Sequence, residues 1–136
     1  IKETATKILQ AAIENQATTV GIESGALKNA ILPYLEDEMR SQGRWVVITV
    51  THGGKKKADR ITWALQGRLE HGKITFNRNP SWNKDLETQL IEFPSKGTHD
   101  DIIDALAYID QVSVADYMHT IELEDEWEPY DEVAGY

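Results

Sequence analysis

Three aspartates crowd into five consecutive positions of the run Thr98-His99-Asp100-Asp101-Ile102-Ile103-Asp104-Ala105-Leu106, where the turn-like Pro94-Ser95-Lys96-Gly97 gives way to an apolar helical pattern. On a helix, Asp101 and Asp104 stand three apart and share one face. Carboxylates held side by side repel unless one takes a proton or a cation lies between them. Such a pair suits a hard divalent ion such as Mg²⁺, which takes one or two carboxylates and fills its shell with water and phosphate oxygens. The same residues have a plainer reading. Thr98 followed by Asp101 has the spacing of a capping box, and acidic residues favour a first helical turn through the macrodipole. Asp104 resists that reading. Ile102, Ile103, Leu106, Ala107 and Ile109 surround it with a wide apolar surface, beside which an unsatisfied carboxylate is costly.

Glu23 offers another carboxylate from a distant part of the chain. It ends the β-branched run Thr18-Thr19-Val20-Gly21-Ile22-Glu23, with Ser24-Gly25 next. Ligands of open α/β sheets gather at the carboxyl ends of strands, although a solvated strand-end glutamate looks the same. Glu23, Asp101 and Asp104 together make a sensible set for a two-ion site, where ions about 3.5–4 Å apart clamp the attacking and leaving oxygens of a phosphodiester displacement. Lys55, Lys56, Lys57 and Arg60 form a basic stretch suited to phosphate contacts or, equally, to a solvated face. His52 and His99 read first as polar surface or capping residues and second as aids to metal binding or proton transfer. The scattered Trp residues are core before they are base-stacking platforms.

Elements that would position these groups follow from periodicity. Ala5, Ile8, Leu9, Ala12 and Ile13 predict a helix over 2–16. A strand at 18–23 follows, then a helix over 26–41 that Pro33 should kink or divide. Trp45 to Val50 is the strongest strand, nearly continuous in apolar character, as expected of a strand covered on both faces. A loop leads to a helix over 58–69, a short strand Lys73-Ile74-Thr75-Phe76, a helix over 82–92 with Leu86 and Leu90 inward, and a last helix over about 100–115. The acidic segment 122–136 reads as an extended tail. Alternating helices and strands predict an α/β domain.

With 136 residues, 40% of them hydrophobic, the chain fits one domain with a real core. The lack of cysteine excludes disulfides and thiolate chemistry, and no apolar run approaches a membrane span. The net charge of −9 argues against nucleic acid until its distribution is considered. All 14 basic residues lie in 1–97 against 11 acidic ones, while 98–136 holds twelve Asp and Glu and no Lys or Arg. A basic middle with an acidic C-terminal part allows phosphate contacts from the middle.

The closing run, from Thr98 to Leu106, resembles the last motif of the nuclease domain in phage terminase large subunits. Val20-Gly21-Ile22-Glu23-Ser24-Gly25 resembles that family's middle acidic strand. Lys57-Ala58-Asp59-Arg60, leading to Leu69-Glu70-His71-Gly72-Lys73-Ile74-Thr75-Phe76, resembles its basic helix and hairpin strand. Trp82, Leu86, Leu90 and Phe93-Pro94 match the run before the closing motif.

The resemblance implies an RNase H-like α/β domain, a mixed sheet flanked by helices, over 1–120, with an acidic tail over 121–136. It implies Glu23 and Asp101 as catalytic metal ligands for Mg²⁺ or Mn²⁺, Asp104 as a further acidic catalytic ligand, and Asp100 as first a helix cap and second a metal ligand. Lys55, Lys56, Lys57 and Arg60 would bind DNA. The implied activity is cutting double-stranded concatemeric DNA during viral packaging, in the host cytoplasm. Implied partners are an upstream ATPase domain, the terminase small subunit and the portal protein. The family's first catalytic aspartate, on a strand beside that of Glu23, has no match here. The chain opens at Ile1 directly in a helical pattern, so the domain is expected to be N-terminally incomplete, feebly active, and open to self-association at a strand edge. Gly53-Gly54-Lys55 lacks the upstream glycine and following Ser or Thr of a P-loop. A Holliday-junction-resolvase-like nuclease and a non-catalytic docking or regulatory domain are the alternatives.

Overall fold

The computed structural model describes residues 1–54, 56–95 and 97–114. Within them the order is α1 (Lys2–Glu14), β1 (Thr19–Glu23), α2 (Ala26–Gln42), β2 (Val47–Thr51), α3 (Lys57–Glu70), α4 (Asn83–Glu92) and α5 (Asp101–Ala107). Past a turn at Tyr108, residues 109–114 are again helical. The expected acidic tail and the far end of the last helix lie outside the described residues, as do Lys55 and Lys96.

β1, α2 and β2 form a parallel β–α–β unit, with Thr19 opposite Val47 and Glu23 opposite Thr51. Among the described residues the sheet has these two strands alone, so the expected mixed sheet is here a parallel pair. Side chains alternate across a strand, and the two faces differ sharply. Ile22 and Ile48 enter a core with Ala5 and Leu9 of α1 and Ile31, Leu35 and Met39 of α2. The inner stripes of the two helices follow from their spacings of three and four residues. Leu9 and Leu35 are completely buried, each contributing about 1.5–3 kcal/mol. Thr19, Gly21, Glu23 and Thr51 point to the other face.

That alternation corrects the reading of β2 as a strand covered on both faces. Val47 is partly exposed, and Trp45, which lies outside the strand, is 65% exposed. Pro33 does not divide α2, which runs unbroken to Gln42. The carbonyl that proline deprives of a donor belongs to Asn29, and both residues lie on the exposed side of the helix. Gly43, at φ +62°, ends the helix and lets Arg44 N–H donate to the Met39 carbonyl at 3.2 Å.

A second core joins α3, α4 and α5 through Ile61, Ala64, Leu65, Leu86, Ile103 and Ala107. The expected strand at 73–76 is not one. Ile74 and Phe76 instead pack on this second core; their strand-like alternation is satisfied by helices, and among the described residues no strand lies beside them to pair with.

Candidate active site

Glu23 stands at the carboxyl end of β1 because the pleat of the strand puts it on the face opposite the α1–α2 core. Facing it are α5 and the helical segment after it. A cleft of about 770 Å³ opens between them, lined by Glu23, Thr51, Asp101, Asp104, Tyr108 and Val112 among others. The structure thus brings together the three carboxylates Glu23, Asp101 and Asp104. Glu23 and Asp101 are exposed to solvent, and Asp104 is partly covered.

Close approach of the two walls depends on Gly21. A Cβ there would lie 2.4 Å from Val112 Cγ2 and 3.1 Å from Thr51 Cγ2. Gly53, just after β2, has a similar role: its Cβ would lie 3.1 Å from Glu23 Oε1 and 3.6 Å from the Tyr108 hydroxyl. Gln111 clamps the loop holding Gly53, accepting from His52 N–H at 2.8 Å and donating to the His52 carbonyl at 3.0 Å. The His52 ring lies 3.2 Å from Ser24 Oγ. Gly53 is therefore part of the site's architecture.

The start of α5 is held differently from the capping-box expectation. Thr98 Oγ1 donates back to the Ser95 carbonyl at 2.8 Å. Asp100 occupies the cap position, but its side chain makes no capping hydrogen bond. Gln89, a buried residue of α4, accepts from Ile102 N–H at 2.8 Å and from Ile103 N–H at 3.2 Å. A side-chain cap contributes about 1 kcal/mol; this one also fixes the turn that carries Asp101.

Asp100 and Asp104 face cations of α3. Lys57 Nζ is 2.6 Å from Asp100 Oδ1 and 3.3 Å from Asp104 Oδ2. Arg60 Nη1 is 2.6 Å from Asp104 Oδ1. The Asp100 carboxylate, with Asp104 behind it, raises the Lys57 ammonium above its ordinary value against the opposing effect of burial. The Arg60 guanidinium also lies 4.4 Å from the centre of the Tyr108 ring, a cation–π distance. Burial, and then the neighbouring Glu23 carboxylate, push the Tyr108 phenol up to about 12.

Of the basic stretch expected at DNA, Lys56 is exposed ahead of α3, Lys57 is half-exposed with carboxylate partners, and Arg60 is turned inward. Lys55 lies outside the described residues. His99 lines a separate shallow hollow with Asp85, Glu92 and Asp101.

Among the described residues, no three His, Asp or Glu side chains converge closely enough to hold a metal by themselves. The donor chemistry nevertheless fits a hard divalent ion. Two exposed carboxylates share an open cleft, and such an ion takes its remaining oxygens from water and phosphate.

A family model of the terminase RNase H-like domain matches residues 2–110. The chain belongs to that family. It is a terminase nuclease-type domain, and the matched span carries every described carboxylate of the cleft. A search of curated proteins and a search of solved structures each found no match. Among the described residues of this terminase domain, no helix is long and apolar enough to cross a membrane.

Sequence reading missed Tyr108, Gln89 and Gln111. Tyr108 carried a usable signal, since it lies four residues after Asp104 and so on the same helical face. Neither glutamine did.

Proposed function

We propose that this terminase domain is a Mg²⁺- or Mn²⁺-dependent endonuclease acting on double-stranded DNA, with Glu23 and Asp101 as its metal ligands. The observation that carries this reading is the single cleft that collects Glu23 from β1 and Asp101 from α5. When bound, the metal would lower the pKa of an attacking water and stabilise the leaving 3′ oxygen. Asp104 is an accessory acidic group whose charge is matched by Arg60 and Lys57, and Asp100 serves Lys57. Lys56, and Lys57 beside it, supply phosphate contacts that position the duplex without reading sequence.

Two exposed carboxylates make a lean site, and slow turnover by this chain is the expectation. Packaging partners of the family reading are the ATPase, small subunit and portal protein. The test is cleavage of linear and branched duplex by the chain with Mn²⁺. Linear duplex should be cut, and Glu23→Gln and Asp101→Asn should each abolish the cutting. Preference for the branched duplex supports a resolvase-like activity instead.

One observation favours a non-catalytic docking role: Asp104 and Asp100 already have internal cations. Metal-independent DNA binding with no cleavage under either ion would select that reading.

A further inference from the structure

Arg60 belongs by sequence to the basic stretch, yet only 11% of its side chain is exposed. Its Nε and Nη1, with Asp104 Oδ1 and the Tyr108 hydroxyl, are shut off from solvent and have no hydrogen-bond partner among the described residues. Their contacts are charge and ring contacts: Nη1 at 2.6 Å from Asp104 Oδ1, and the guanidinium carbon at 4.4 Å from the Tyr108 ring centre. At the far end of that ring, the hydroxyl and Glu23 Oε1 both come within 4 Å of the point where a Gly53 Cβ would stand. Asp104, Arg60 and Tyr108 therefore stand in one row, and the Tyr108 hydroxyl at its end borders Gly53 together with Glu23 Oε1.

We propose that Arg60 and Tyr108 are positioning residues for Glu23: Arg60, anchored on Asp104, fixes the Tyr108 ring, and the Tyr108 hydroxyl fixes the Glu23 carboxylate. Gly53 is the residue that leaves them room. Neither Arg60 nor Tyr108 touches DNA or metal in this role. The proposal rests on Glu23 being a metal ligand for its functional consequence but not for its geometry.

Groups that orient metal ligands typically change metal affinity about 10–100-fold when removed. The test uses the full chain and Tyr108→Phe, which keeps the ring over Arg60 and deletes the hydroxyl. In metal-free protein, carboxyl ¹³C NMR should show the Glu23 signal displaced and the Asp101 signal unmoved. Arg60→Gln should displace the Asp104 and Glu23 signals together, and Arg60→Lys should restore Asp104 but not Glu23. Mn²⁺ affinity, measured by titration calorimetry, should fall about tenfold in Tyr108→Phe at an unchanged melting temperature.

A Glu23 signal indifferent to Tyr108→Phe, or wild-type Mn²⁺ affinity in that variant, overturns the proposal. If wild type itself binds no Mn²⁺ while the Glu23 signal still moves, the positioning stands and the metal reading falls. If Arg60→Gln does not fold, Tyr108→Phe alone decides.

Discussion

Arg60 reaches from α3 to Asp104 on α5 and meets it with Nη1 2.6 Å from Oδ1, in a place where the two side chains are 11% and 20% exposed. Deleting one member of a largely covered pair leaves the other charge without its partner, and that penalty exceeds the small value of a surface ion pair. Arg60→Ala is therefore expected to destabilise the domain by about 1–3 kcal/mol in urea unfolding. Lys56→Ala, on an exposed residue, is expected to leave stability unchanged while weakening DNA binding and flattening its salt dependence. The opposite pattern would place Arg60 at the DNA.

Gly21 allows the helical segment after Tyr108 to lie against β1. Gly21→Ala brings a Cβ to within 2.4 Å of Val112 Cγ2 unless one wall shifts. Overpacking of this kind costs about 1–3 kcal/mol, and the companion change Val112→Ala should recover most of it. Additive losses in the double variant, read from denaturation midpoints, would show that the two side chains do not meet.

Gln89 holds two N–H groups of α5. Gln89→Leu keeps much of the volume and removes the acceptor, so a loss of about 1–2 kcal/mol is expected. Faster amide hydrogen exchange at Ile102 and Ile103 should accompany it. Unchanged protection at both amides would mean that the cap is unimportant.

Alkaline pH should weaken the fold through two groups with the same sign. Tyr108 is held up to about 12 in the folded chain against about 10 unfolded, so between those values the folded state holds a proton that the unfolded state has lost. Stability is full below the unfolded value and declines as pH rises through the folded one. Lys57, raised chiefly by Asp100, behaves likewise. Tyr108→Phe should show a shallower loss of stability than wild type between pH 10 and about 12; parallel curves would contradict the assignment.

What the sequence made legible was local. The β-branched run ending in Glu23, and the three-residue spacing of Asp101 and Asp104, follow from pleat and helix geometry and led to two walls of one cleft. Partnerships across many residues were not legible. Gln89 reaches Ile102 from another helix, and Lys57 meets Asp100 from 43 positions away. Nothing in the composition of the basic stretch told Lys56, which faces water, from Arg60, which faces Asp104. The segment Lys73 to Phe76 has strand-like alternation, yet its apolar side chains are taken up by helices. Alternation reports which side chains turn inward and leaves open whether a neighbouring strand exists.

The most direct measurement is Mn²⁺ binding to the full chain, followed by loss of the free-ion electron paramagnetic resonance signal, in wild type, Glu23→Gln and Asp101→Asn. Removing a true ligand should weaken binding at least as much as removing a supporting group, about 10–100-fold, and the double variant should not bind. Saturable binding that survives in the double variant, or no binding by wild type, would contradict the assignment of this cleft as the metal centre.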